Sequence, residues 1–346
     1  MYFKPDARIS DPEYLRTYNV FKYGDIAFEG NKSKNYANGR FVENTIGDGI
    51  VSHVFNVLRP ISPKHNLEYW KYAINNENVM GRILARCTKK TTMMTNLVTA
   101  DFLEQEICCP IKLEQDKIAF FLSLIEKRLA AQEQLVDALK KYKRGAINNI
   151  FNGYTFDKSV KECLLSDVAS FHQGLTYSPE DVSDTGYLVL RSSNIQNGRL
   201  SFKDNVYVKK SISESLFVQK NDVLMCVRNG SKQLVGKTAI VNQPYPNMTW
   251  GAFMMIIRSA LKNTFVYHYL NSDSFFNQVF KDSGTATINQ ITKGTLNECR
   301  LFMPNPEQQE RICQYLDLLD GKLQKEEDYL ESLKALKQSL LQHLFI

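Results

Sequence analysis

Apolar residues recur along two stretches of the chain in alternating steps of four and three. In residues 304–346 they are Ile312, Leu316, Leu319, Leu323, Leu330, Leu333, Leu340 and Leu344, with polar gaps at Glu326 and Lys337. In residues 109–151 they are Ile118, Leu122, Ile125, Leu129, Val136, Leu139, Ala146 and Ile150, with gaps at Gln132 and Lys143. Such steps line up one stripe of side chains, the seam of a coiled coil. Each stretch predicts a helix of about 40 residues, about 60 Å long.

The two stretches are copies. They align without a gap at an offset of 194, matching Pro110 with Pro304, Gln115 with Gln309, Leu122 with Leu316 and Phe151 with Phe345. Matched seams predict that the two helices pair with each other. Polar gaps in register disfavour slipped pairings.

The segments before each helix echo each other too. Residues 152–303 alternate strand-like runs with turns, among them TGYLVLRSSNI, DVLMCVRNGS and GAFMMIIRS. Residues 1–108 keep the same order: FKYGDIAFEG resembles VQKNDVLMCV, and HVFNVLRP resembles FMMIIRS. This predicts an α+β chain with globular domains at 1–108 and 152–303 and spacer helices at 109–151 and 304–346. The stretch from Leu165 to Gly198 has no counterpart in the first copy, which is expected to be incomplete at its start.

Composition sets broad bounds. The chain has 346 residues, 43% of them apolar, and a net charge of +6. That excludes collagen-like and disordered classes. No apolar run approaches the roughly 18 residues of a membrane span. Seven cysteines without C-x-x-C spacing suggest reduced thiols, no metal site and a cytoplasmic protein. The charge is unevenly spread: the globular segments carry +2 and +4, the first helix +3 and the second −3.

This tandem order resembles the specificity subunit of type I restriction–modification systems. Two local features add to it. One is the helix start Pro306-Glu307-Gln308-Gln309 through Ile312; the other is a loop with Gly284, Thr285, Ile288 and Ile291. The resemblance implies two target-recognition domains on double-stranded DNA and an antiparallel helix pair with a pseudo-two-fold internal repeat. It implies no catalysis by this chain. Two methyltransferase (modification) subunits would bring S-adenosylmethionine, and restriction subunits would bring ATP and magnesium. Two different domains would read a bipartite, asymmetric site, with the helices setting the gap. Half-sites one turn apart lie about 34 Å from each other, within the helices' reach.

Enzyme signals are weak. GSKQLVGKT, from Gly230 to Thr238, has Ser231 where a phosphate loop needs glycine, and a strand-like run follows it. NQPY, from Asn242 to Tyr245, resembles the N-P-P-Y of adenine methyltransferases, but Gln stands second, and the segment reads as a turn. The competing non-enzymatic reading is a coiled-coil adaptor with two β-rich binding modules.

DNA readers need cations for phosphates and amide or guanidinium groups for base edges. In the second domain the candidates are Gln173, Gly174, Arg191, Ser192, Ser193, Asn194, Arg228, Asn229, Ser231, Lys232, Lys237, Thr285, Asn289 and Gln290. In the first they are Lys32, Lys34, Arg40, Lys89, Lys90 and Thr91.

Overall fold

The computed structural model describes residues 13–33, 36–61, 65–91, 94–152, 160–281 and 290–345. The chain divides into two compact units, Met1–Gln134 with Glu327–Ile346, and Leu135–Glu326. The sequence places boundaries at the helix ends. Each compact unit contains part of both long helices.

The first unit begins with β1 (Asn19–Phe21), β2 (Ile26–Glu29), β3 (Arg40–Glu43), β4 (Gly49–Val51) and β5 (Val57–Leu58). β1 pairs with β4, and β2 lies between β3 and β5, all antiparallel. Next come α1 (Leu67–Ala73) and α2 (Glu77–Cys87). Each is started by an Asn: the side chain of Asn66 accepts from the Tyr69 N–H and that of Asn76 from the Asn78 N–H. β6 (Thr88–Lys90) and β7 (Thr95–Leu97) form a hairpin before α3 (Thr99–Leu103). Phe28, Phe41, Met80, Leu84 and Cys87 fill the core.

α4 (Lys112–Phe151) leads into the second unit. There follow β8 (Lys161–Leu164), α5 (Leu165–Val168), β9 (Ala169–Gln173), β10 (Val182–Ser183), β11 (Tyr187–Leu190), β12 (Ile195–Gln196), β13 (Arg199–Leu200) and β14 (Tyr207–Val208). β15 (Val223–Cys226), β16 (Thr238–Ile240), β17 (Met248–Trp250) and β18 (Met254–Ser259) complete two four-stranded sheets. One runs β16-β15-β18-β9, all antiparallel; the other runs β10-β14-β11-β17, with β11 and β17 parallel. The β12–β13 hairpin turns at Asn197 (φ 52°) and Gly198 (φ 77°). Those two left-handed residues suit the tight turn of a short hairpin. α6 (Phe265–Tyr269), α7 (Asp273–Val279), α8 (Lys293–Glu298) and β19 (Arg300–Met303) follow, and β19 pairs with β8.

β15 is buried along its whole length because it is covered on both faces. Val223 and Met225 enter a core with Phe265, Tyr269 and Leu316, while Leu224 and Cys226 enter one with Trp250 and Ile256. That explains the unbroken apolar run DVLMCV, since a strand with one wet face would alternate.

α9 (Pro306–Leu344) ends the fold and runs antiparallel to α4 within each unit. In the first unit Ala119 and Leu122 cluster with Leu341, Leu344 and Phe345, and Glu126 accepts from Lys337 at 2.9 Å. In the second, Ile147 and Ile150 share a core with Ile312 and Leu316, and Lys143 pairs with Asp320. The predicted seam is thus buried or half-buried throughout: Ile118, Leu122, Ile125, Leu129, Val136 and Leu139 on α4, and Ile312, Leu316, Leu319, Leu323, Leu330 and Leu333 on α9.

The polar gaps have partners. Lys143 and Lys337 are repeat equivalents, as are Asp320 and Glu126, so one ion pair occurs twice. Gln132 is buried, as its place in the seam requires. In the second copy the more buried acid is Glu327 rather than the expected Glu326, which is half-buried.

The helix starts also match. Gln115 Nε2 donates to the Pro110 carbonyl at 2.9 Å and Gln309 Nε2 to the Pro304 carbonyl at 2.7 Å. The two sheets correspond as well, β3-β2-β5 to β16-β15-β18. The fourth strand, β9, has no counterpart among the described residues of the first unit.

Candidate nucleic-acid interface

Five separate segments of the second unit meet at the ends of β9, β11 and β15. The two backbones are close at Gly174, where an added Cβ would lie 2.1 Å from the Gly251 carbonyl oxygen. Only glycine fits there, so Gly174 is a packing residue. Beside it, Gln173 is exposed and donates through Nε2 to the Ala252 carbonyl at 2.6 Å.

The turn after β11 behaves differently from its sequence expectation. Asn194 is fully buried. Its Oδ1 accepts from the Arg191 N–H at 2.9 Å, and its Nδ2 donates to the Ser201 and Asp204 carbonyls at 2.9 and 3.1 Å. With those bonds made and no exposure, it braces the turn and is not a base reader. Arg191 is half-buried and ion-paired with Asp204 at 2.9 Å, so its charge is already answered. Ser193 is half-buried, and Ser192 accepts through Oγ from Asn229 Nδ2 at 3.2 Å, which ties this turn to the next.

That next turn, after β15, carries the free cations. Arg228 is exposed, with its guanidinium carbon 5.4 Å from the centre of the Phe253 ring. Its backbone bridges to Gln290, which is exposed. Asn229 Oδ1 accepts from the Ser231 N–H at 2.9 Å. Ser231, Lys232 and Lys237 are exposed. Among the described residues Arg228, Lys232 and Lys237 have no carboxylate partner. The structure thus gathers Gln173, Ser192, Arg228, Asn229 and Gln290 into one linked set. Thr285 and Asn289 lie outside the described residues.

Sequence reasoning missed Phe253. It is 59% exposed although it stands in an apolar run, and its ring holds the Arg228 guanidinium. A stacked arginine keeps its fork oriented, and an exposed ring offers a face to a base. The available signal was position, since GAFMM puts Phe253 at the turn before β18.

The first unit gathers a smaller set. Lys32 Nζ donates to the Thr91 carbonyl at 3.3 Å, and Asn31 bridges to Met94 where Arg228 bridges to Gln290 in the second unit. Thr91 Oγ1 donates to the Met94 carbonyl at 2.7 Å. Arg40 pairs with Glu29 at 2.7 Å and lies over the Tyr36 ring, so its charge already has a partner. Lys89 and Lys90 are exposed on β6. Lys34 lies outside the described residues.

Chemistry beyond binding finds little support among the described residues. GSKQLVGKT leads into strand β16, whereas a phosphate loop opens a helix. Tyr245 donates to Asn242 at 3.1 Å, so NQPY is a self-bonded turn. His268, Asp317 and Asp320 lie close enough to hold a cation, a grouping that sequence spacing does not reveal. However, Asp317 already accepts from His268 at 2.8 Å and from Thr264 at 2.9 Å, and Asp320 pairs with Lys143. All seven cysteines are free thiols. No described helix is long and apolar enough to cross a membrane.

A two-domain α+β chain with paired helices and cationic loop clusters is the architecture of a type I specificity subunit. The profile of the type I restriction modification DNA specificity domain matches residues 158–335, and the chain belongs to that family. It is 28% identical over 188 residues to the type I restriction enzyme EcoKI specificity subunit of Escherichia coli K12, and equally to the StySPI specificity subunit of Salmonella potsdam. Each match covers 51% of this chain and 40% of the relative, less than half of those proteins' length.

The fold extends further than the sequence match. A chain from a type I R-M system, solved in work on complex assembly and conformational transition, superposes over 94% of this chain and 82% of its own, with TM-score 0.61 and 17% identity. The type I S subunit from M. genitalium covers 96% of this chain and 85% of its own, with TM-score 0.56 and 20% identity.

Proposed function

We propose that this chain is the DNA-recognition subunit of a type I restriction–modification complex and is itself non-catalytic. Each domain reads one half of a bipartite, asymmetric site, and the α4–α9 pair sets the gap between the halves. Two methyltransferase subunits and the restriction subunits assemble on it. S-adenosylmethionine, ATP and magnesium belong to those partners, and the complex works in the cytoplasm.

The observation that carries this reading is the linked edge of the second unit. Arg228 offers a planar fork suited to guanine, and Gln173 and Gln290 offer amides suited to adenine. Lys232 and Lys237 offer charge to phosphates, and Phe253 offers a stacking face. Family membership and the shared fold support the same reading.

The test is duplex binding by the assembled methyltransferase across a salt series. The reading expects affinity to fall steeply and linearly on a log–log scale as salt rises. An adaptor that does not bind DNA would show no such dependence.

A further inference from the structure

The internal repeat extends beyond the helices to single positions past the ends of the strands. In the second unit the Ile291 N–H donates to the Val227 carbonyl at 2.7 Å, and the next residue, Arg228, bridges to Gln290. In the first unit the Thr95 N–H donates to the Gly30 carbonyl at 2.8 Å, and the next residue, Asn31, bridges to Met94. Asn31 therefore stands where Arg228 stands. Each lies just beyond its strand, β2 or β15, and each side chain is exposed.

The neighbouring turns correspond as well. The Met254 N–H donates to the Gly251 carbonyl at 2.8 Å, and the Phe55 N–H to the Ser52 carbonyl at 3.0 Å. Phe253 and Val54 hold the same place in these turns. Both are apolar and yet exposed, at 59% and 62%.

What differs is the chemistry at the shared position. Arg228 carries a fork of N–H donors and no acceptor, which suits the O6 and N7 acceptors of guanine. Asn31 carries an amide, with donor and acceptor side by side, which suits the N7 acceptor and N6 donor of adenine. Its Nδ2 donates to Glu29 Oε1 at 3.4 Å, and Glu29 is itself held by Arg40 at 2.7 Å. That carboxylate fixes which end of the amide carries the hydrogens. A second N–H and the Oδ1 acceptor remain for a base. Across the bridge Met94 is apolar and exposed, which suits the methyl group of a thymine.

We propose that Asn31 reads adenine in the first unit's half-site, from the same position at which Arg228 reads guanine in the other half. The inference rests on the DNA-recognition reading and adds to it one residue and the base it selects.

The test uses the assembled methyltransferase and a duplex carrying its methylated motif. Each adenine of the motif is replaced in turn by 7-deazaadenine, which has a C–H in place of the N7 acceptor, and each guanine by 7-deazaguanine. The unaltered complex should lose roughly tenfold in affinity at one adenine of one half. Asn31→Ala should bind the ordinary duplex more weakly by a similar factor and show no further loss at that adenine. Its response at every other position should match that of the unaltered complex. Arg228→Ala should in the same way silence one guanine of the opposite half. Asn31→Ala should melt with the unaltered chain, because the side chain it removes is exposed.

The assignment is overturned if no adenine in the half opposite the Arg228 guanine responds to the loss of N7. It is equally overturned if every such adenine responds alike in Asn31→Ala and in the unaltered complex. Both results leave duplex binding intact and so spare the DNA-recognition reading. Failure of that reading looks different: the unaltered complex would show no salt-dependent binding at all, and this assignment would fall with it.

Discussion

Arg258 grips Asp222 at two points, Nε on Oδ1 and Nη2 on Oδ2, each at 2.7 Å. Asp222 also accepts from the Gln219 N–H at 2.7 Å, which pins the turn into β15. Arg59 and Asp25 repeat the clamp in the first unit at 2.8 and 2.7 Å, and Asp25 accepts from the Lys22 N–H at 2.7 Å. Asp222 is 1% exposed. Replacing it with alanine leaves a guanidinium without its anion and should destabilise the second unit by about 3 kcal/mol. Calorimetric melting of Asp222→Ala checks this.

The first-unit clamp gives a pH signature. The hydrogen bonds from Arg59 hold the Asp25 carboxyl below the usual carboxylate range. A lowered folded-state value stabilises above the unfolded value and is lost as pH falls through the folded one. Asp25→Asn should therefore flatten the acid limb of the stability curve, read by circular dichroism from pH 5 downward.

Glu43 has the opposite sign. Its carboxyl titrates at about 7 against an ordinary 4.5, because it is buried and faces Glu68. The folded state holds a proton that the unfolded state has lost, so stability falls as pH rises through that window. Glu43→Gln should raise stability at pH 8 by roughly 1 to 2 kcal/mol, the full shift being discounted for partial exposure, and remove that slope. Urea melts at pH 5 and pH 8 provide the comparison.

Readers and braces should separate in the second unit. Arg228→Ala should relax discrimination at one base pair by about 1–3 kcal/mol and leave the melting temperature unchanged. Lys232→Ala should weaken all sequences alike and reduce the salt slope by about one. Asn194→Ala should instead lower the melting temperature, since it unmakes a buried turn. Binding and melting measured on the same three variants distinguish the roles.

The helix pair should be limited by its seam rather than its ion pairs. Leu122 is fully buried, and Leu122→Ala should cost about 2–5 kcal/mol. The Lys337–Glu126 pair is about a third exposed, and a double-mutant cycle should return less than about 1 kcal/mol of coupling.

Much of this was legible in the sequence because helices repeat. A seam every three or four residues, copied at one offset, announces α4, α9 and their pairing. The clamps left a trace as well: Asp25 and Asp222 align in FKYGD and VQKND, and Arg59 and Arg258 in VLRP and IIRS. Pairing them needed the distances.

The candidate interface was less legible. Loop polarity does not distinguish Asn194, which turns inward, from Arg228, which points out. Nor does an apolar run show that Phe253 leaves the core.

The most direct test is methylation mapping in a host that carries this chain with its methyltransferase. The account predicts a two-part motif with a fixed gap, and Arg228→Ala should blur one half only. A motif without a gap, or one in which Arg228→Ala alters both halves or neither, would contradict it.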